Sequence, residues 1–212
     1  MGKIICLMGK SSSGKDTIYK ELQGVDRGKT SPECRAAGAA LAARLRTIVP
    51  YTTRPIRAGE RDGVEYFFRN EAGFQELMAS GKVIEQREYH TFYGIWRYFT
   101  VDDGQFALDG EQDYIMIGTL ESYRSLQAYF GEEKVLPVLI ELDDGARLQR
   151  ALNRERKQRQ PKYEELCRRF LADSEDISEE KIREAGISRR FYNNNLERCL
   201  TEIREYIEEN CR

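Results

Sequence analysis

A short apolar run, followed at once by a glycine-framed loop and a helical pattern, constrains this chain's fold more than any other feature. The run is KIICLMG, too continuously apolar for a strand with one wet face, so both faces of its sheet must be covered. The loop is GKSSSGK, residues 9–15, which fits the pattern G-x-x-x-x-G-K. A helix is expected from Lys15 to about Leu22. Glycines at such a junction let the backbone curl until successive N–H groups face inward at a helix N-terminus, a cradle for phosphate oxygens. Gly9, Lys10, Ser11, Ser12, Ser13, Gly14 and Lys15 are therefore candidates for binding the phosphates of ATP, with Lys15 reaching the β and γ groups.

Asp16 stands where this motif ordinarily supplies a Ser or Thr to magnesium. A carboxylate about 5 Å from a phosphate charge costs roughly 3 kcal/mol at an effective dielectric near 20. Asp16 must turn away or face an ion that cancels the repulsion. Thr17 comes next, and GKDT has the length and Thr placement of the GKGT of adenylate kinases. Asp16 and Thr17, acting directly or through water, are the candidate contacts to Mg2+.

Further strands are expected at TIVPY, EYFF, KVIEQREY, DYIMIG (113–118), KVLPVLIEL (134–142) and SRRFYNN (188–194). Helical sequence lies between them: an Ala-rich helix within residues 23–47, one after Asn70 ending near Gly81, and a final helix striped by Leu196, Leu200, Ile203 and Ile207. Alternation of this kind predicts an α/β fold with a central parallel sheet flanked by helices, in one domain.

Composition excludes several functions. The 34 Lys and Arg against 36 Asp and Glu give a net charge of −2, so no global field favours nucleic acid or a membrane surface. The five cysteines have no C-x-x-C pair, which argues against zinc and, by their odd number, against a full disulfide framework. A reducing cytoplasm is the expected location. The apolar run at residues 4–8 is too short for a signal peptide or membrane span. His90 is the single histidine, so chemistry needing paired imidazoles is excluded.

A second anion site is suggested by PYTTRPIRAGERDGVEYFF, residues 50–68. Arg54 and Arg57 lie three apart in turn-rich sequence, with Tyr66 beyond a bend, and two guanidiniums and a phenol can converge on one phosphate. A surface salt-bridge cluster with Glu60 and Asp62 is the competing reading of the same residues. TTRPIRAGERDGVEYFF closely resembles the T-T-R-x-x-R-x-G-E-x-x-G-x-x-Y-x-F signature of guanylate kinases, and VIEQREYHTFYGI (83–95) looks like that family's F-L-E-…-Y-Y-G-T segment.

The resemblance implies a P-loop NTPase fold in three parts. These are a core (1–48, 100–145 and 165–212), a GMP-binding insertion (49–99) and an Arg-rich lid at about 146–164. It implies an ATP:GMP phosphotransferase acting on GMP or dGMP, with Mg2+. By motif, Arg54, Arg57, Tyr66 and Tyr93 hold the GMP phosphate and Glu85 the base. Arg154 or Arg156, with Arg169 from the next helix (Arg168 competing), close over the transferring group. Asn193 of FYNNNL lies near the adenine. Arg54 and Lys15 join these as catalytic residues. A carboxylate at Glu85 accepts from guanine N1–H and N2–H2 together, whereas adenine offers neither donor. Three positions depart from the family: Pro50 replaces a serine, Ile95 replaces a hydroxyl residue, and GTLES follows strand DYIMI in place of D-x-D-x-Q-G, with Glu121 a weak counterpart. Two other readings stay open: a guanylate-kinase-like module binding phosphorylated ligands, and a kinase for another nucleoside monophosphate.

Overall fold

Strand β1, Ile4–Met8, is fully buried along its length, and its alternation divides the interior in two. The computed structural model describes residues 1–25, 28–57, 59–91 and 94–211. Ile4, Cys6 and Met8 pack with Tyr123, Leu126 and Ile182 on one face, while Ile5 and Leu7 pack with Ile18, Leu22, Leu41, Leu200 and Ile203 on the other. Successive strand residues point to opposite faces, so a run apolar at every position needs helices on both sides.

Around β1 the sheet runs β2 (Leu45–Thr47), β7 (Asp113–Ile117), β1, β8 (Val135–Glu141), β9 (Arg190–Tyr192), all parallel. Helices α1 (Lys15–Leu22), α2 (Pro32–Arg44) and α8 (Leu196–Asn210) cover one face, and α4 (Leu120–Phe130) and α7 (Glu179–Glu184) the other. Pro137 sits inside β8 opposite Cys6, but β9 begins pairing only at Leu139. At Pro137 the strand therefore has one neighbour, and the missing N–H costs no ladder bond. Helices α5 (Asp144–Glu155) and α6 (Tyr163–Asp176) follow β8 and carry the arginine-rich stretch.

A second sheet, ordered β4 (Phe67–Phe68), β3 (Tyr51–Thr52), β6 (Gly94–Val101), β5 (Val83–Thr91), is built from the segment between β2 and β7. Helix α3, Glu71–Ala79, closes it by burying Phe74 against Tyr51, Phe99 and Val101. The single strand expected at TIVPY is two strands in two sheets, because the chain leaves the first sheet after Thr47 and enters the second at Tyr51. Pro50, without an N–H, sits at the crossing, and its carbonyl accepts from Phe67 N–H at 2.9 Å. Among the described residues no helix is long and apolar enough to cross a membrane.

Candidate active site

The loop between β1 and α1 is held open by contacts to its carbonyls. Gly9 (φ +149°) and Gly14 (φ +102°) occupy backbone conformations that disfavour any side chain. A Cβ at Gly9 would lie 2.3 Å from the Ile140 carbonyl oxygen, and one at Gly14 would lie 2.2 Å from Asn193 Nδ2. Asn193 Nδ2 donates to the Ser13 carbonyl at 2.7 Å, and Arg147 Nε donates to the Ser11 carbonyl at 3.3 Å. With these carbonyls drawn outward, amides are left for the concave side.

One of those amides already holds an oxyanion. Ser11 N–H donates to Asp173 Oδ2 at 2.7 Å and its hydroxyl to Oδ1 at 3.2 Å, a carboxylate carried by α6. Ser12 Oγ and Ser13 Oγ are buried with no hydrogen-bond partner among the described residues. Gly14 caps α1 without a side-chain bond to its first-turn amides. Burial lowers the pKa of the Lys15 ammonium, opposed by the charges of Asp16 and Asp173. Backbone donors, unpaired hydroxyls and a desolvated cation together fit a polyphosphate.

Facing this loop across a cleft of about 2370 Å³ are residues of the second sheet and of α6. Lys15, Gly9 and Ser11 line it on one side, Pro50, Arg57 and Tyr66 on another, and Arg168 and Arg169 on a third. Asp16 is exposed in the first turn of α1, and its charge acts on both Lys15 and Tyr66. Thr17 Oγ1 accepts from Lys29 Nζ at 3.3 Å. Of the oxygen donors that a hard cation prefers, Asp16 and Thr17 stand in the first turn of α1, directly after the loop.

Several of the expected site residues have partners that the sequence does not announce. Arg54 is buried, and its fork is filled by Glu60, with Nη1 at 2.7 Å and Nη2 at 2.6 Å. It lies over the rings of Tyr66 and Phe68, at 5.0 and 5.3 Å from their centroids. A buried guanidinium needs a counter-charge, and the Arg54 hydrogen bonds in turn hold Glu60 below the usual carboxylate range. Arg54 thus braces Tyr66 from behind the cleft, while Arg57 reaches it. Glu85 is also buried: its Oε1 accepts from Thr100 Oγ1 at 2.8 Å and Arg87 Nη2 at 3.3 Å, and its Oε2 from Arg87 Nε at 3.0 Å. What lines the cleft there is Arg87. Asn193 is buried and clamps the phosphate loop by donating one carboxamide N–H to the Ser13 carbonyl. Tyr93 lies outside the described residues.

The lid expected at 146–164 begins as a packed helix, because Arg147 and Ala151 of α5 are buried. Arg147 sits 4.7 Å over the Phe170 ring and within 3.0 Å of Asp144. Arg154 and Arg156 are exposed at the end of α5, and the charge of Arg154 acts on Lys15. Arg168 and Arg169 are both held by Glu165, at 2.7 and 2.6 Å, and the Arg168 bond pushes that carboxyl down to about 2. Arg87, Tyr98 and Asp173 were not foreseen as site residues. Period-two alternation places Arg87 on the face of Glu85, a signal available in KVIEQREY. Asp173 meets Ser11 from 162 residues away, and no local pattern announces that.

The fold and this cleft define a class: an α/β protein with a phosphate loop, an inserted second sheet and basic residues converging between them. The family model described as guanylate kinase matches residues 39–98. Curated guanylate kinases of Streptococcus pyogenes, among them those of serotypes M3 and M18, are 35% identical over 94 residues, which cover 44% of this chain and 37% of theirs. The match therefore spans little more than a third of those relatives. A crystal structure of guanylate kinase from Anaplasma phagocytophilum superimposes with a TM-score of 0.61 at 18% identity, covering 100% of this chain and 89% of that one. The chain is thus guanylate-kinase-like in sequence through its insertion and in fold throughout.

Proposed function

We propose that the chain transfers the γ-phosphate of ATP to the phosphate of a nucleoside monophosphate, with GMP or dGMP as acceptor and ADP and GDP (or dGDP) as products. The carrying observation is that one cleft is lined by Lys15 of the phosphate loop and by Arg57 and Tyr66 of the inserted sheet. An oxygen of the acceptor phosphate attacks the γ-phosphorus in line, and the bond to the β-γ bridging oxygen breaks as ADP takes the electron pair. That oxygen is already anionic near neutral pH, so no general base is required. Catalysis then consists of positioning and of neutralising charge on the transferring group.

Each residue has a part in this reading. The loop amides and Lys15 hold the β and γ phosphates. Arg57 and Tyr66, stiffened by Arg54, seat the acceptor phosphate. Arg168 and Arg169, with Arg154 from α5, bring positive charge when α6 closes, and closure excludes water as a competing acceptor. Asp173 must leave the Ser11 amide to make room for a phosphate oxygen. Mg2+, when bound, would neutralise the β and γ oxygens, and Thr17 with Asp16 would hold it there.

A ligand that joins adenosine to guanosine through five phosphates tests the two-walled cleft. Titration calorimetry should give one molecule per chain, more tightly bound than ATP or GMP alone, with competition by each. Two independent sites, or competition by ATP only, would separate the walls and remove the proposal.

A further inference from the structure

We propose that Arg87 selects the acceptor's base by donating to the O6/N7 edge of a 6-oxopurine, with Glu85 acting as the positioning residue behind it. This deepens the phosphoryl-transfer reading and rests on it. The sequence points to Glu85 as the group that meets guanine, but the Glu85 side chain is 2% exposed against 14% for Arg87. A base entering the cleft therefore meets a guanidinium first.

The hydrogen bonds leave Arg87 poised for two acceptors. Of its five N–H groups, Nε and one on Nη2 are taken by Glu85, and one on Nη1 reaches Thr119 Oγ1 at 3.3 Å. Among the described residues, one N–H remains without a partner on each terminal nitrogen. That is the fork by which arginine grips guanine O6 and N7 together. Glu85 meanwhile accepts from Thr100 and Arg87 on both oxygens, which leaves it too few free lone pairs to take guanine N1–H and N2–H2 as a pair. Tyr98 is Arg87's cross-strand partner and lines the cleft with Tyr66 and Tyr89, supplying aromatic surface for the purine. Adenine would oppose its 6-amino group to the Arg87 donors. Hypoxanthine presents the same O6/N7 edge as guanine and lacks only the 2-amino group.

Inosine monophosphate therefore separates the two residues. If Arg87 reads the base, the KM for inosine monophosphate falls within about threefold of that for GMP, and 7-deaza-GMP, which lacks the N7 acceptor, is about tenfold worse. Arg87→Ala raises the KM for GMP about 10- to 100-fold with kcat within about threefold, and makes GMP and 7-deaza-GMP equivalent. Arg87→Gln, which keeps a long polar side chain, should show the same equivalence, and the comparison within the unaltered protein needs no variant. The assignment is overturned if inosine monophosphate is more than about 30-fold worse than GMP while 7-deaza-GMP matches it. It is equally overturned if Arg87→Ala leaves the KM for GMP unchanged or lower. Calorimetric binding of the same three nucleotides gives the same ordering without turnover. A protein that binds them in this order but transfers no phosphate would refute the reaction and keep the Arg87 assignment.

Discussion

Lys15→Met is expected to lower phosphoryl transfer about 10³-fold while GMP affinity stays within about threefold. The ammonium is desolvated at the head of α1, where the loop amides converge. Charge developing on the transferring oxygens is met there by a cation already in place and partly desolvated, so less reorganisation accompanies the step. Losing one such preorganised group removes about 4 kcal/mol of transition-state stabilisation. In the proposed reaction GMP is held by Arg57 and Tyr66, which the substitution does not touch. Steady-state kinetics with calorimetry of GMP binding checks both halves. Parallel loss of turnover and GMP affinity would show that the two walls are not separate sites.

Arg147→Ala is expected to destabilise the fold by about 3 kcal/mol, lowering Tm by roughly 6–12 °C. The Arg147 side chain is 1% exposed and ties three elements together. It donates to the Ser11 carbonyl at 3.3 Å, lies over Phe170 at 4.7 Å, and faces Asp173 at 3.7 Å. Its partner Asp144 is half exposed and contributes little, so the cost comes from Asp173, the Phe170 contact and the cavity. Because Ser11 belongs to the phosphate loop, the KM for ATP should rise with the fall in Tm. Arg147→Met, which keeps the apolar stem against Phe170, should recover part of the stability and none of the loop anchoring. Thermal scans and ATP kinetics on both variants decide it; an unchanged Tm for Arg147→Ala would show that α6 is held by other contacts.

What was legible in the sequence was what is local. The strand–loop–helix at residues 4–22 follows from contiguous residues, and the structure gives α1 the expected bounds, Lys15–Leu22. The Leu200, Ile203 and Ile207 stripe packs as its spacing implies. Roles set by distant partners were not legible. Arg54 and Arg57 look equivalent in TTRPIR, yet Arg54 is drawn inward by Glu60 and only Arg57 reaches the cleft. The surface salt-bridge cluster expected here is met only in part: Arg54 and Glu60 do pair, but with Arg54 buried, and Asp62 is taken by Arg69 at 3.6 Å. Glu85 was expected to meet the base, and nothing local shows it enclosed: the pairing of β5 with β6 brings Thr100 to it, while Arg87 closes from two residues along the same strand. The arginine-rich stretch showed a local excess of positive charge but not which of its arginines reach the cleft. Helical spacing there sends Arg147 inward, and the cleft-lining arginines come from α6.

The most direct test follows the label of γ-labelled Mg-ATP with GMP, dGMP, AMP, CMP and UMP offered as acceptors in turn. The account predicts label in GDP and dGDP, with ADP released in equal amount, and far slower transfer to AMP. Transfer to none of the five, with ATP bound but intact, would contradict it.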